Sequence, residues 1–166
     1  GLASSFAVLA GSGITNTGPT TASGTAGADF GSSPTGSFTG DTDVTVTNGT
    51  KYTAVDAAVT AAKVDLTTAY NDAAGRTPAT TVTADLGGQT LTTGVYNSAS
   101  SLQVTGTLTL DAENDPDAVF IFQAGSTLTT ASSATIALVN GADACNVFWQ
   151  VGSSATFGTD TVFVGH

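Results

Sequence analysis

The chain has 166 residues, 20 of them glycine, with 13 acids against 3 Lys+Arg and a formal net charge of −10. That balance leaves no basic patch for nucleic acid; no apolar run is long enough to span a bilayer, so membrane insertion is not expected. One His and one Cys exclude a Cys/His zinc site, a disulfide and a Ser-His-Asp triad, so neither a catalytic residue nor a metal or cofactor is expected.

In chain order, Phe6-Ala-Val-Leu-Ala-Gly-Ser12 reads as a short apolar strand closed by a Gly-Ser corner, and Ile14, between Gly13 and Thr15, as the start of another. Residues 17–50 are rich in Gly, Thr and Pro, with few apolar anchors (Phe30, Phe38, Val44, Val46), and read as irregular coils or a cap. Asn48-Gly-Thr50 fits a glycosylation acceptor and equally a turn. Ala54 to Ala74 is the one helical pattern. Thr53 and Asp56 make a capping-box-like start, Val55, Val59, Ala62, Leu66 and Tyr70 form an apolar stripe, and Gly75 and Pro78 end it.

Beyond the helix the chain repeats. Val119-Phe-Ile-Phe-Gln-Ala-Gly-Ser126 resembles Val147-Phe-Trp-Gln-Val-Gly-Ser153. Thr107-Leu-Thr-Leu110 aligns with Thr135-Ile-Ala-Leu138 and with Thr161-Val-Phe-Val164, at steps of 28 and 26 residues. A period in the twenties, built from three short strands and Gly/Ser corners, is that of one turn of a parallel β-solenoid. Alternation along each strand assigns the faces. In the third strands Leu108/Leu110, Ile136/Leu138 and Val162/Val164 stack inward, while Thr107/Thr109, Thr135/Ala137 and Thr161/Phe163 point out. In the middle strands Leu102, Leu128 and Ala155 point in, while Ser101/Gln103, Thr127/Thr129 and Ser154/Thr156 point out. In the first strands Val119, Ile121, Val147 and Trp149 face the core, leaving Phe120, Phe122 and Phe148 outward under the helix. The fold class is therefore mainly β, one domain over residues 1–166, with a single helix along its side.

Few residues offer chemistry. Asp111 to Asp117 gathers acids but lacks the Gly and terminal Glu of a calcium loop, and it occupies the connection equivalent to Asn140-Gly-Ala-Asp143, so it reads as a solvated corner. Cys145 reads as a small buried thiol. The Thr rows admit two readings. Thr favours strands and solubilises without charge. Alternatively, hydroxyls and methyls on a stiff grid, about 4.7–4.9 Å across strands and about 6.6 Å along them, order water into an ice-like layer that charges would disrupt. The candidate binding residues are Thr15, Ser101, Gln103, Thr127, Thr129, Ser154 and Thr156; the alternative face is Thr107, Thr109, Thr135 and Thr161, which Phe163 would roughen.

Phe6 to Ser12, Thr15-Asn-Thr-Gly-Pro-Thr20, Asp65 to Gly75, Asp85-Leu-Gly-Gly-Gln-Thr-Leu91, Gly94-Val-Tyr96, Asp117 to Ser126 and Ala144 to Ser153 together closely resemble the DUF3494 ice-binding protein family. The resemblance implies a right-handed, discontinuous β-solenoid of triangular section with one long helix along its side. It also implies an exported, secreted or cell-surface protein of a cold-adapted microbe, with an ice crystal as the partner of one flat face. Members continue beyond the equivalent of Val164-Gly165, so further coils are expected to be lacking here. The exposed C-terminal strand edge would then favour self-association, and the alternative function is a structural subunit of an extracellular adhesin or filament.

Overall fold

The computed structural model describes residues 1–24 and 27–166. They form two compact units, Gly1–Asn71 and Asp72–His166. Each is built from short strands that pair in parallel with the strand one coil away, which is the expected mainly β solenoid with one helix.

In the first unit the strands are β1 (Phe6–Ala10), β2 (Ile14–Thr15), β3 (Thr20–Ser23), β4 (Asp29–Ser32), β5 (Phe38–Thr39) and β6 (Val44–Thr47). They pair as β1–β4, β2–β5 and β3–β6, so each coil has three sides. Residues 17–50 thus include a full coil rather than irregular chain. Ile14 opposes Phe38 and Thr20 opposes Val44, a step of 24 residues in both sheets. The corners stack as well: the Asn16 side chain donates to the carbonyls of Gly18 (2.8 Å) and Gly40 (3.2 Å). Phe30 and Val44 are buried, and the Phe30 and Phe38 rings stack with centroids 5.6 Å apart.

Helix α1 spans Ala57–Gly75. It starts three residues later than the capping-box pattern suggests, because Asp56 rather than Thr53 caps it, accepting from the Ala58 amide at 2.7 Å. Val59 and Ala62 are fully buried, but Val55, Leu66 and Tyr70 are exposed, so the packed stripe is shorter than the periodic one. Gly31 of β4 makes the close approach possible: a Cβ there would lie 2.8 Å from a Val59 methyl.

The second unit holds β7 (Thr80–Thr81), β8 (Thr90–Leu91), β9 (Gly94–Ser98), β10 (Leu102–Val104), β11 (Thr107–Asp111), β12 (Phe120–Ala124), β13 (Leu128–Thr130), β14 (Thr135–Val139), β15 (Val147–Val151) and β16 (Ala155–Thr156). Three sheets result, in the orders β15–β12–β9–β7, β10–β13–β16 and β14–β11–β8. Leu102, Val104, Leu108, Leu110, Phe120, Phe122 and Leu128 fill the space between them, each 0–1% exposed.

Two face assignments are corrected here. In β12, Phe120 and Phe122 face the core, opposite Val147 and Trp149, while Ile121 lies on the outer side opposite Phe148, and Val119 is exposed. The shared Gln-x-Gly-Ser ending fixes this register, since Gln123 opposes Gln150; matching Val119 to Val147 slips the strand by one residue, and one residue reverses every side chain. Tyr96, Phe122 and Trp149 then form an aromatic stack, with centroids 5.5 and 4.2 Å apart. On the outer side Gln123 is buried, and its amide nitrogen donates to the carbonyls of Ala73 (2.8 Å), Ala74 (3.4 Å) and Arg76 (3.1 Å), closing the C-terminus of α1.

The same slip recurs near the end. Phe120 opposes Val147 and Thr135 opposes Val162, both 27 residues apart, where matching Val119 to Val147 gives 28 and Thr135 to Thr161 gives 26. Val162 therefore points out, 55% exposed, while Phe163 packs on the core beside Trp149 and Phe157. Beyond it His166 pairs along β15, donating its amide to the Val147 carbonyl at 2.9 Å.

Candidate functional site

Six of the seven candidate residues share the outer face of the middle sheet, β10–β13–β16, in the second unit. One row is Gln103, Thr129 and Thr156, set opposite each other by the ladder and all exposed. Beneath them Leu102, Leu128 and Ala155 pair in register; Leu128 is 1% exposed, whereas Ala155 on the outermost strand is exposed. Two residues earlier along the strands lie Ser101, Thr127 and Ser154, tied by Leu102 and Leu128 amides that donate to the Thr127 and Ser154 carbonyls. The Thr127 hydroxyl donates to Ser101 Oγ at 2.8 Å, which orients that pair. Thr15 belongs to the first unit, exposed on β2 opposite Thr39 of β5.

The rows are not free of charge along their whole length. Asp85 bridges to Gln103 and so continues the second row as a carboxylate. The Thr105 hydroxyl holds it below the usual carboxylate range, helped by the amides of Gly87 (2.9 Å) and Thr105 (3.1 Å) and the Gln103 side chain. These bonds draw the anion into the corner at the edge of the face.

The third sheet differs from expectation. Thr107 opposes Thr135, and Thr90 opposes Thr109, but Thr109 opposes Ala137 and Asp111 opposes Val139. Val162, not Thr161, completes the Thr107 row. The Thr161 hydroxyl is turned into the corner, 2.9 Å from the Thr130 hydroxyl and 2.8 Å from the Gly158 carbonyl. Phe163 does not roughen this face, because it points inward; the exposed methyls of Val139 and Val162 do.

Elsewhere the acidic stretch is a corner, as expected. Asp111 accepts from the Glu113 amide and from the Asn140 side chain, both at 2.8 Å, and these contacts keep its carboxyl low. Cys145 is exposed rather than buried. It lies in a short 3-10 turn, Ala144–Asn146, ahead of the buried Val147, where the hydrogen bond and charge of Asp143 push its thiol up.

Sequence reasoning overlooked one further set. On β3 and β6 the exposed residues Thr21 and Ser23 oppose Thr45 and Thr47. The signal was present: Thr-Thr-Ala-Ser and Val-Thr-Val-Thr alternate at the 24-residue step that also relates Ile14-Thr15 to Phe38-Thr39.

A family model described as "Ice-binding-like" matches residues 8–166. A curated "Ice-binding protein" of Nostoc sp. (strain HG1) is 52% identical over 96 residues, which cover 57% of this chain and 34% of that protein, so the match spans about a third of the relative's length. The crystal structure of an ice-binding protein from an Antarctic biological consortium is similar at TM-score 0.92 and 48% identity, covering 99% of this chain and 73% of that one. That of an ice-binding protein from the Antarctic ascomycete Antarctomyces psychrotrophicus is similar at TM-score 0.90 and 40% identity, covering 100% and 79%.

Proposed function

The chain belongs to the ice-binding-like family, and from that premise we propose that it binds ice, without catalysis and outside the cell, through the outer face of the middle sheet. The observation that supports this reading is the outward ladder row Gln103/Thr129/Thr156 with Ser101/Thr127/Ser154 just ahead of it, uncharged across these three strands and backed by packed Leu102 and Leu128.

The physics is that of a stiff template. Parallel pairing sets neighbouring strands about 4.8 Å apart, and the two rows, two residues apart along each strand, lie about 6.6 Å from each other. Thr methyls leave the first water layer few partners, so it bonds to itself; the hydroxyls and the Gln103 amide pin that layer in place. A charge would hold water radially, and Asp85 is drawn into the corner by Thr105. Molecules adsorbed in this way pin the advancing ice front and slow recrystallisation. Among the described residues no helix is long and apolar enough to cross a membrane.

Slow freezing of a stirred solution tests the reading. The protein is expected to be enriched in the ice fraction and to restrain recrystallisation; a protein left wholly in the liquid overturns it.

A further inference from the structure

We propose that the first unit carries a second ice-contacting surface, formed by Thr21 and Ser23 of β3 with Thr45 and Thr47 of β6. The inference rests on the reading above and extends it to a second site.

The ladder sets Thr21 opposite Thr45 and Ser23 opposite Thr47, and all four are exposed. Their inward neighbours are Thr20, Ala22, Val44 and Val46; Val44 is 3% exposed, so the alternation holds through the pair. The four hydroxyls therefore stand at the corners of a cell about 4.8 by 6.6 Å, the same cell as on the middle sheet. No hydroxyl of the four bonds to another described residue, in contrast to Ser101 and Thr127, which bond each other. Each keeps its donor and both lone pairs for water. Three of the four carry a methyl, and no carboxylate lies in either row. The surface is also held firmly: Thr20 bonds the Asn16 side chain at 2.7 Å, and Lys51 Nζ donates to the carbonyls of Asp41 (2.8 Å) and Val44 (3.0 Å), clamping the turn that feeds β6. A grid with unspent hydroxyls, methyl spacing and a braced backbone matches the chemistry of ordered water. A basic or acidic partner would find no charge in it, and an apolar partner would strand the four hydroxyls.

The test uses the full chain, fluorescently labelled and adsorbed to a single-crystal ice hemisphere, as parent, Thr45→Tyr and Thr129→Tyr. The parent is expected to light two sets of planes. Thr45→Tyr should lose one and keep the other, and Thr129→Tyr should do the reverse. Thr45→Lys, which keeps an exposed polar side chain but brings its own hydration shell, should lose the same planes as Thr45→Tyr and serves if the tyrosine variant does not fold. A folded Thr45 variant that lights every plane the parent lights overturns the inference while leaving the proposed function intact. A parent that lights no plane overturns both.

Discussion

The middle and third sheets of the second unit are built alike and end differently. Both pair in parallel and seat a leucine-rich row on one core: Leu102 and Leu128 under one sheet, Leu108, Leu110 and Ile136 under the other. In sequence both look like Thr ladders. On the middle sheet each outward row stays polar and neutral across three strands. On the third sheet the rows run into Ala137, Val139 and Val162, with Asp111 opposite Val139. Inward rows need only volume and hydrophobicity, so both sheets satisfy them equally. An outward row becomes a surface for ordered water only if the chemistry repeats in every coil.

The comparison can be broken first at its common part. Leu128→Ala and Leu108→Ala should each cost about 2–5 kcal/mol by urea denaturation, since both side chains are fully packed and leave a cavity; a large inequality would mean that the two sheets do not share one core. The first-strand sheet supplies a third reference. Gln123→Leu removes the donor to three carbonyls at the end of α1 and should cost about 1–3 kcal/mol. Circular dichroism should show the loss starting in the helix, and a variant as stable as the parent would contradict that role.

A smaller effect concerns the corner beside the middle sheet. Asp85 titrates below the ordinary carboxylate value of about 3.9 because Thr105, and then Gly87, bond its charged form. Its contribution to stability is thus complete above that ordinary value and is lost as pH falls through the lowered folded-state value. Asp85→Asn should lower stability by a small amount near neutral pH, where that contribution is complete, and flatten the acid limb so that parent and variant converge at low pH; the effect is small because the group is well solvated. An unchanged acid limb would show that the corner bonds are not formed in solution.

Much of this is legible in the sequence. The repeat of Gln123-Ala-Gly-Ser126 in Gln150-Val-Gly-Ser153 marks successive coils, because the glycine sits where backbone stacks on backbone; a Cβ on Gly152 would meet the Gly125 carbonyl. The middle-strand assignment followed directly, since Leu102 and Leu128 have no competing alignment. Phe120, Phe122 and Phe163 were misplaced for one shared reason: in apolar strands either alternation looks hydrophobic, so only the corner residues set the register. Ser133 and Asp160, both with positive φ near 60°, mark that corner and carry the 27-residue step, but nothing in their letters announces a left-handed residue. The first-unit coil was hidden because Phe38–Thr39 and Thr20–Ser23 are too short and too polar to read as strands until paired. Cys145 was misread because a lone cysteine is usually buried, whereas this one falls in a corner turn.

The most direct measurement compares the uptake of three folded proteins into slowly grown ice: the parent, Thr129→Tyr on the middle sheet and Thr107→Tyr on the third. Both threonines are exposed and outward, so each variant should keep its stability within about 0.5 kcal/mol of the parent. Thr107→Tyr is expected to enter the ice as the parent does, and Thr129→Tyr to fall several-fold. Uptake lost in Thr107→Tyr and retained in Thr129→Tyr would contradict the assignment of the middle sheet.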